Sequence, residues 1–326
     1  MKFTPAALVA ALISATLSVS MTAILVLGLA RERAIASTSI SLTLPTPNAT
    51  FRSGSLLVQQ FGSGGRNIVL IPGLSSGPWE FASMIRSFAQ HNTVYALTLP
   101  GFDGTPAIAS PYLPRVTSDF WALLQSHHLQ KPVVIGHSLG GTLAYLLAEQ
   151  HAQRLQAIVS IDGLPVFPGT EAFTAATRAA RAKAMLGMFA SLTPAQFAAS
   201  NARYMASIGT RDPRFAERLA IEADRSDPAA MAEFASEDLA LDLRPKLSTI
   251  TIPVLLLSPY FAADFSTPPM QFSASQKAAY YALLTPGIAH EKIVTISPAR
   301  HYAQLDQPQE TQDAIDAFLT SLPTSP

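Results

Sequence analysis

Gly136-His137-Ser138-Leu139-Gly140 sets a serine between two glycines, directly after the apolar run Val133-Val134-Ile135 and before the helical pattern Leu139–Gln150. A strand-to-helix turn this tight forces the serine into a strained backbone conformation, and the glycines leave room for the neighbouring strand and helix. Ser138 Oγ would then stand exposed at the carboxyl end of a sheet. The Leu139 N–H, at the start of the helix, would face a developing oxyanion. That chemistry is acyl transfer through a serine nucleophile. A serine hydroxyl is a weak nucleophile by itself and needs a base.

Seven histidines compete for that role. His137 adjoins Ser138 but is expected to point away from it across the turn. His127, His128 and His151 border helical patterns, and His91 and His290 precede strands, at the wrong end of the sheet. His301 follows the last strand by the short loop Ser297-Pro298-Ala299-Arg300, which brings it to the same end as Ser138. A carboxylate must orient the base and stabilise the imidazolium. Asp264, in the loop after Val254–Leu257, supplies it in the order Ser138, Asp264, His301 expected for a nucleophile on a strand–turn–helix. Its rival is Asp162, which ends the strand Ala157–Ile161 and could instead cap the entry to the next segment. A second oxyanion donor is expected after Ile68–Ile71, where Gly73 permits close backbone approach and Leu74 offers its N–H.

The elements around these residues alternate in kind. Ile68–Ile71, Val94–Leu99, Val133–Ile135, Ala157–Ile161, Val254–Leu257 and Ile293–Ile296 are continuous apolar runs, the mark of strands buried on both faces. Helical patterns over Trp79–Gln90, Val116–His127, Leu139–Gln150 and Gln309–Leu319 lie between or after them. The reading is an α/β protein with a mostly parallel central sheet flanked by helices. Leu56–Phe61 is a further strand, and Ile40, Leu42 and Leu44 alternate with polar residues as a short half-buried one. From Pro165 to Leu247 there is no strand pattern. This Ala-rich stretch predicts a helical cap inserted between two sheet strands, over the ends where open α/β sheets bind ligands. Its Met185, Met188, Phe189, Phe197 and Met205 either pack inside the cap or line an apolar pocket.

These motifs resemble the α/β-hydrolase superfamily over residues 54–321. The resemblance rests on Ile71-Pro72-Gly73-Leu74, Leu99-Pro100-Gly101-Phe102-Asp103-Gly104, Gly136-His137-Ser138-Leu139-Gly140-Gly141, and Arg300-His301-Tyr302 followed by Leu305-Asp306-Gln307-Pro308. It implies the α/β-hydrolase fold: an eight-stranded, mostly parallel sheet with a helical cap between the sixth and seventh strands. Many members carry His-Gly where this chain has Pro72-Gly73, and the loop after Leu257 lacks their usual Gly-x-x-Asp.

Composition narrows the alternatives. With 48% hydrophobic and 13% charged residues, the 326-residue chain has ample material for a core and is not a disordered one. Equal numbers of basic and acidic residues, 22 each, leave no electrostatic footprint for nucleic acid. The absence of Cys excludes disulfides, thiolate metal sites and a cysteine nucleophile. No paired-histidine spacing suggests a metal, and no cofactor is expected.

Ala6–Ala30 carries no charged residue and, at about 1.5 Å per residue, is long enough for a hydrocarbon core of about 30 Å. Residues 1–36 therefore read as a signal peptide, with Ala34-Ile35-Ala36 as the cleavage site, or as an uncleaved membrane anchor. Residues 37–326 form the enzyme domain, with the cap at about 165–247. Either reading exports the body, to a periplasmic, secreted or membrane-anchored location. Asn48-Ala49-Thr50 matches a glycosylation sequon.

The expected function is a serine hydrolase acting on small-molecule carboxylic esters through Ser138, His301 and Asp264 and an acyl-enzyme. Lactonase, amidase, cofactor-free haloperoxidase and carbon–carbon hydrolase activities use the same machinery. The alternative of a different class is a binding module with little turnover.

Overall fold

The structure, a computed structural model, describes residues 41–266 and 271–323. Eight strands form one sheet in the order β1-β2-β4-β3-β5-β6-β7-β8. They are β1 (Ala49–Ser53), β2 (Leu56–Phe61), β3 (Asn67–Ile71), β4 (Thr93–Thr98), β5 (Val133–His137), β6 (Ala157–Ile161), β7 (Val254–Pro259) and β8 (Glu291–Ile296). The first two pairings, β1 with β2 and β2 with β4, are antiparallel, and the rest are parallel. The mostly parallel sheet read from the apolar runs is the sheet observed.

Its middle strands are buried on both faces because they are covered on both. Successive side chains of a strand face opposite ways. Val69 and Ile71 join one apolar cluster with helices α2 (Tyr112–Ser126) and α3 (Leu139–His151). Ile68 and Leu70 join the other with α1 (Ala82–Phe88) and α9 (Pro308–Ser321). Between β6 and β7 the chain forms four helices: α4 (Ala175–Ala190), α5 (Pro194–Tyr204), α6 (Pro213–Ala223) and α7 (Pro228–Ala240). Local chemistry starts each of them. Thr174, Thr193, Asp212 and Asp227 are N-caps that accept from backbone N–H groups, and α5, α6 and α7 carry Pro in the first turn. In this cap Phe197 and Met205 are buried and Met188 is 55% exposed. Helix α8 (Ala274–Leu284) then precedes β8.

Two local expectations need correction, and one helix is new. Described residues 41–47 form no strand; the edge strand is Ala49–Ser53. Pro45 and Pro47 remove the N–H groups a ladder would need, and Leu42 instead buries itself among Trp79, Phe215, Leu219 and Tyr302. The helix expected over Trp79–Gln90 opens as a 3-10 turn, Pro78–Phe81, before α1. The helix α8 was not read from the sequence at all.

Among the described residues, no helix is long and apolar enough to cross a membrane. The segment Ala6–Ala30 and the cleavage site Ala34–Ala36, which carry the export expectations, lie outside the described residues.

Candidate active site

Register brings the chemistry together. Ile71 pairs with Gly136, His137 with Ile161, and Ile161 with Leu257, so β3, β5 and β6 end side by side next to β7, which runs on to Pro259. The next residue of β3, β5 and β6 then emerges at one edge. The ladder continues one step into two of them: Ser138 N–H donates to Ile161 O at 2.9 Å, and Asp162 N–H donates to Leu257 O at 3.0 Å.

Ser138 sits at φ 52° and ψ −120°, a backbone conformation that costs a non-glycine residue about 1–3 kcal/mol. Its surroundings hold it there. A Cβ on Gly136 would lie 2.0 Å from Gly140 O, so only glycine lets the strand turn this sharply into α3. The loop after β3 also comes close: a Cβ on Gly73 would lie 3.3 Å from Ser138 Cβ. Ser138 is half-buried, and the Leu139 N–H beside it opens α3 with no intrahelical acceptor. In the facing loop the Gly73 N–H is already committed to Glu80 Oε1 at 3.1 Å, and the next amide along the loop is that of Leu74.

His301 follows β8 and lies 2.6 Å, through Nδ1, from Asp162 Oδ2. Here the expectation of Asp264 is corrected. Asp264 lies in the 3-10 turn Ala262–Phe265, and both its oxygens accept from Arg300, at 2.8 Å from Nε and 2.7 Å from Nη2. The reason is the path after β7. Tyr260 N–H still donates to Ile296 O and Ala299 N–H to Tyr260 O, so the chain stays bound to the β8 loop and turns outward before Asp264. Asp162 needs no such excursion, because it is the first residue beyond its strand.

The other Asp162 oxygen is also engaged. Oδ1 accepts from the Tyr281 hydroxyl, and Lys277 Nζ lies 3.9 Å away. Burial alone would raise the Asp162 carboxyl, but Lys277, His301 and Tyr281 outweigh it and hold the group below its ordinary value. Burial lowers His301 below the usual imidazole range, against the opposing pull of Asp162. Burial likewise lowers Lys277, whose ammonium donates to Pro259 O. Lys277 and Tyr281 lie four residues apart on α8 and so on one face. Neither follows from the sequence reading. The signal that marks their helix is the capping box formed by Ser273 and Gln276.

The cap reaches the base as well. His301 N–H donates to Ile208 O and Tyr302 N–H to Gly209 O, both in the π turn Met205–Gly209. The ring of Tyr204 meets His301 edge-on at 6.0 Å. His137 faces away from the nucleophile's chemistry, with Nδ1 3.0 Å from Glu80 Oε2. Among the described residues, no cluster of three or more His, Asp or Glu is arranged to hold a metal.

The chain is similar to several known proteins. A pimeloyl-[acyl-carrier protein] methyl ester esterase of Salmonella newport (strain SL254) is 24% identical over 208 residues, 62% of this chain and 78% of the relative. Among solved structures, the enol-lactonase from Burkholderia xenovorans LB400 superposes with a TM-score of 0.60 at 22% identity, covering 86% of this chain and 100% of the other. An esterase from Exiguobacterium antarcticum superposes with a TM-score of 0.66 at 14% identity, covering 82% of this chain and 96% of the other. The model of the alpha/beta hydrolase family matches residues 68–314, and the chain belongs to that family.

Proposed function

We propose that this enzyme cleaves carboxylic esters, with Ser138 as nucleophile, His301 as base and Asp162 as the acid of the triad. The observation that carries the reading is the 2.6 Å contact between His301 Nδ1 and Asp162 Oδ2, at the strand edge from which the strained Ser138 also emerges. Asp162 keeps the Nδ1 proton in place, which leaves Nε2 free to accept. As Ser138 Oγ attacks the acyl carbonyl, its proton passes to Nε2. The Leu139 and Leu74 N–H groups receive the tetrahedral oxyanion. His301 then returns the proton to the departing alkoxide, and the acyl group stays on Ser138. A water molecule, deprotonated by the same Nε2, releases the acid and restores the serine. Lactones are cyclic esters and fit the same steps. The relatives named for ester and lactone cleavage support this substrate class.

The test is burst kinetics with p-nitrophenyl esters of increasing acyl length, together with labelling by a fluorophosphonate. Ser138→Ala is expected to abolish labelling and lower kcat by at least about a thousandfold, and His301→Ala to lower kcat comparably. A folded wild-type protein with neither burst nor turnover would refute the ester-hydrolase reading.

A further inference from the structure

Glu80 is 1% exposed and His137 is fully buried. A carboxylate and an imidazole are costly to bury unless their polar atoms are matched. Here each is matched to the site loops. Glu80 Oε1 accepts from Gly73 N–H at 3.1 Å, Oε2 meets His137 Nδ1 at 3.0 Å, and His137 Nε2 lies 3.1 Å from the backbone oxygen of His301. A carbonyl oxygen only accepts, so Nε2 carries a hydrogen. One further proton lies between Nδ1 and Oε2, as carboxylate with imidazolium or as carboxylic acid with imidazole. The same three hydrogen bonds form in either case.

We propose that Glu80 and His137 are positioning residues that lock the oxyanion loop and the base loop into one frame. The inference rests on the triad reading above. The outer ends of the chain are backbone atoms at the site: the amide just before the Leu74 donor, and the carbonyl of the base itself. A second bridge runs parallel to the first. Ser76 Oγ, from the oxyanion loop, is 2.8 Å from the hydroxyl of Tyr302, the residue after the base. The His137 ring lies between these ties, 4.7 Å from the His301 ring and 4.5 Å from the Tyr302 ring, centroid to centroid. Oxyanion stabilisation depends on donors held within tenths of an ångström of the developing charge, so a frame of this kind acts on kcat more than on substrate affinity.

Two variants separate hydrogen-bond geometry from charge and from space filling. Glu80→Gln keeps the length. Its carbonyl accepts from Gly73 N–H, its NH2 donates to an unprotonated Nδ1, and Nε2–H still donates to His301 O. Glu80→Asp keeps the charge but withdraws the carboxylate by about 1.5 Å, one carbon–carbon bond, and cannot hold both partners. Rates are measured on the full chain with a p-nitrophenyl ester, per site titrated with fluorophosphonate, so that any unfolded fraction drops out. The expected result is kcat within about threefold of wild type in Glu80→Gln. In Glu80→Asp, kcat falls about tenfold or more with KM changed less than about twofold. Wild-type kcat in both variants overturns the proposal, and so does a loss in Glu80→Gln. Nitrogen-15 NMR of the wild-type His137 ring gives a reading that needs no variant: Nε2 is expected to carry a hydrogen, and an unprotonated Nε2 overturns the proposal. A wild type that neither labels nor hydrolyses ester refutes the hydrolase reading before any variant is compared.

Discussion

Asp162 and Asp264 are the two residues whose roles invert most between chain order and space. Asp162 holds His301, while Asp264 holds Arg300, one residue earlier. Asp162→Asn is therefore expected to lower kcat by about 10³–10⁴-fold, because the amide no longer fixes the tautomer that leaves Nε2 free. Asp264→Asn breaks a bidentate, partly exposed pair and should cost about 1 kcal/mol of stability while leaving kcat within a few-fold. Steady-state kinetics and thermal unfolding on the two variants check both. Lys277 acts on the same charge balance. Its ammonium lowers both Asp162 and His301. The base must be neutral to accept a proton, so the acid limb of kcat/KM follows the His301 pKa. Removing the cation raises that pKa, and Lys277→Met is expected to shift the acid limb to higher pH. A pH–rate profile measures it, and an unmoved limb would show that Lys277 does not reach the base.

At the level of elements, most of the sheet was legible because its residues serve one purpose. Val133–Ile135 and Ala157–Ile161 are apolar without alternation, and only a strand covered on both faces has that need. Ser138 was legible for the same kind of reason, since Gly136 and Gly140 leave steric space that nothing but a tight elbow uses. Helix α8 was not, because it packs with only Tyr281 and Leu284 buried and shows almost no apolar stripe. Its capping box marked where it starts, but nothing local marked its importance. Lys277 and Tyr281 gain their meaning from contacts with Pro259, which ends β7, and with Asp162, which follows β6. Over its described residues, 41–44, the strand expected from Ile40, Leu42 and Leu44 is absent for the opposite reason. Its alternation was real, but Leu42 meets a cap cluster rather than a sheet.

For the molecule as a whole, cap and sheet are joined at several places besides the chain itself, and two of them meet Tyr302. One is the π turn Met205–Gly209, whose carbonyls receive the amides of His301 and Tyr302. The other is the segment before β1, where Leu42 is 7% exposed among Trp79 of the turn Pro78–Phe81, Phe215 and Leu219 of α6, and Tyr302. Truncating it would leave a gap between two layers. Leu42→Ala is expected to cost about 2–3 kcal/mol, read as a lower unfolding midpoint in denaturant, with Asp162–His301 chemistry intact in the folded fraction. An unchanged midpoint would mean that the segment only rests on the cap.

The chain by itself determined most of the sheet and the two residues whose local setting is distinctive. Ser138 lies in an elbow that glycine alone permits, and His301 follows the last apolar run by a short loop. It also determined that one insertion would be helical, because caps and Pro residues act within a single turn. The carboxylate that meets His301, the cation at Lys277 and the Glu80–His137 tie were decided only in three dimensions. Each is a contact between residues 57–139 positions apart or set by the register of parallel strands. Hydrogen bonds and Coulomb attraction act over a few ångströms of space, and sequence order carries no record of which loops that space will bring together.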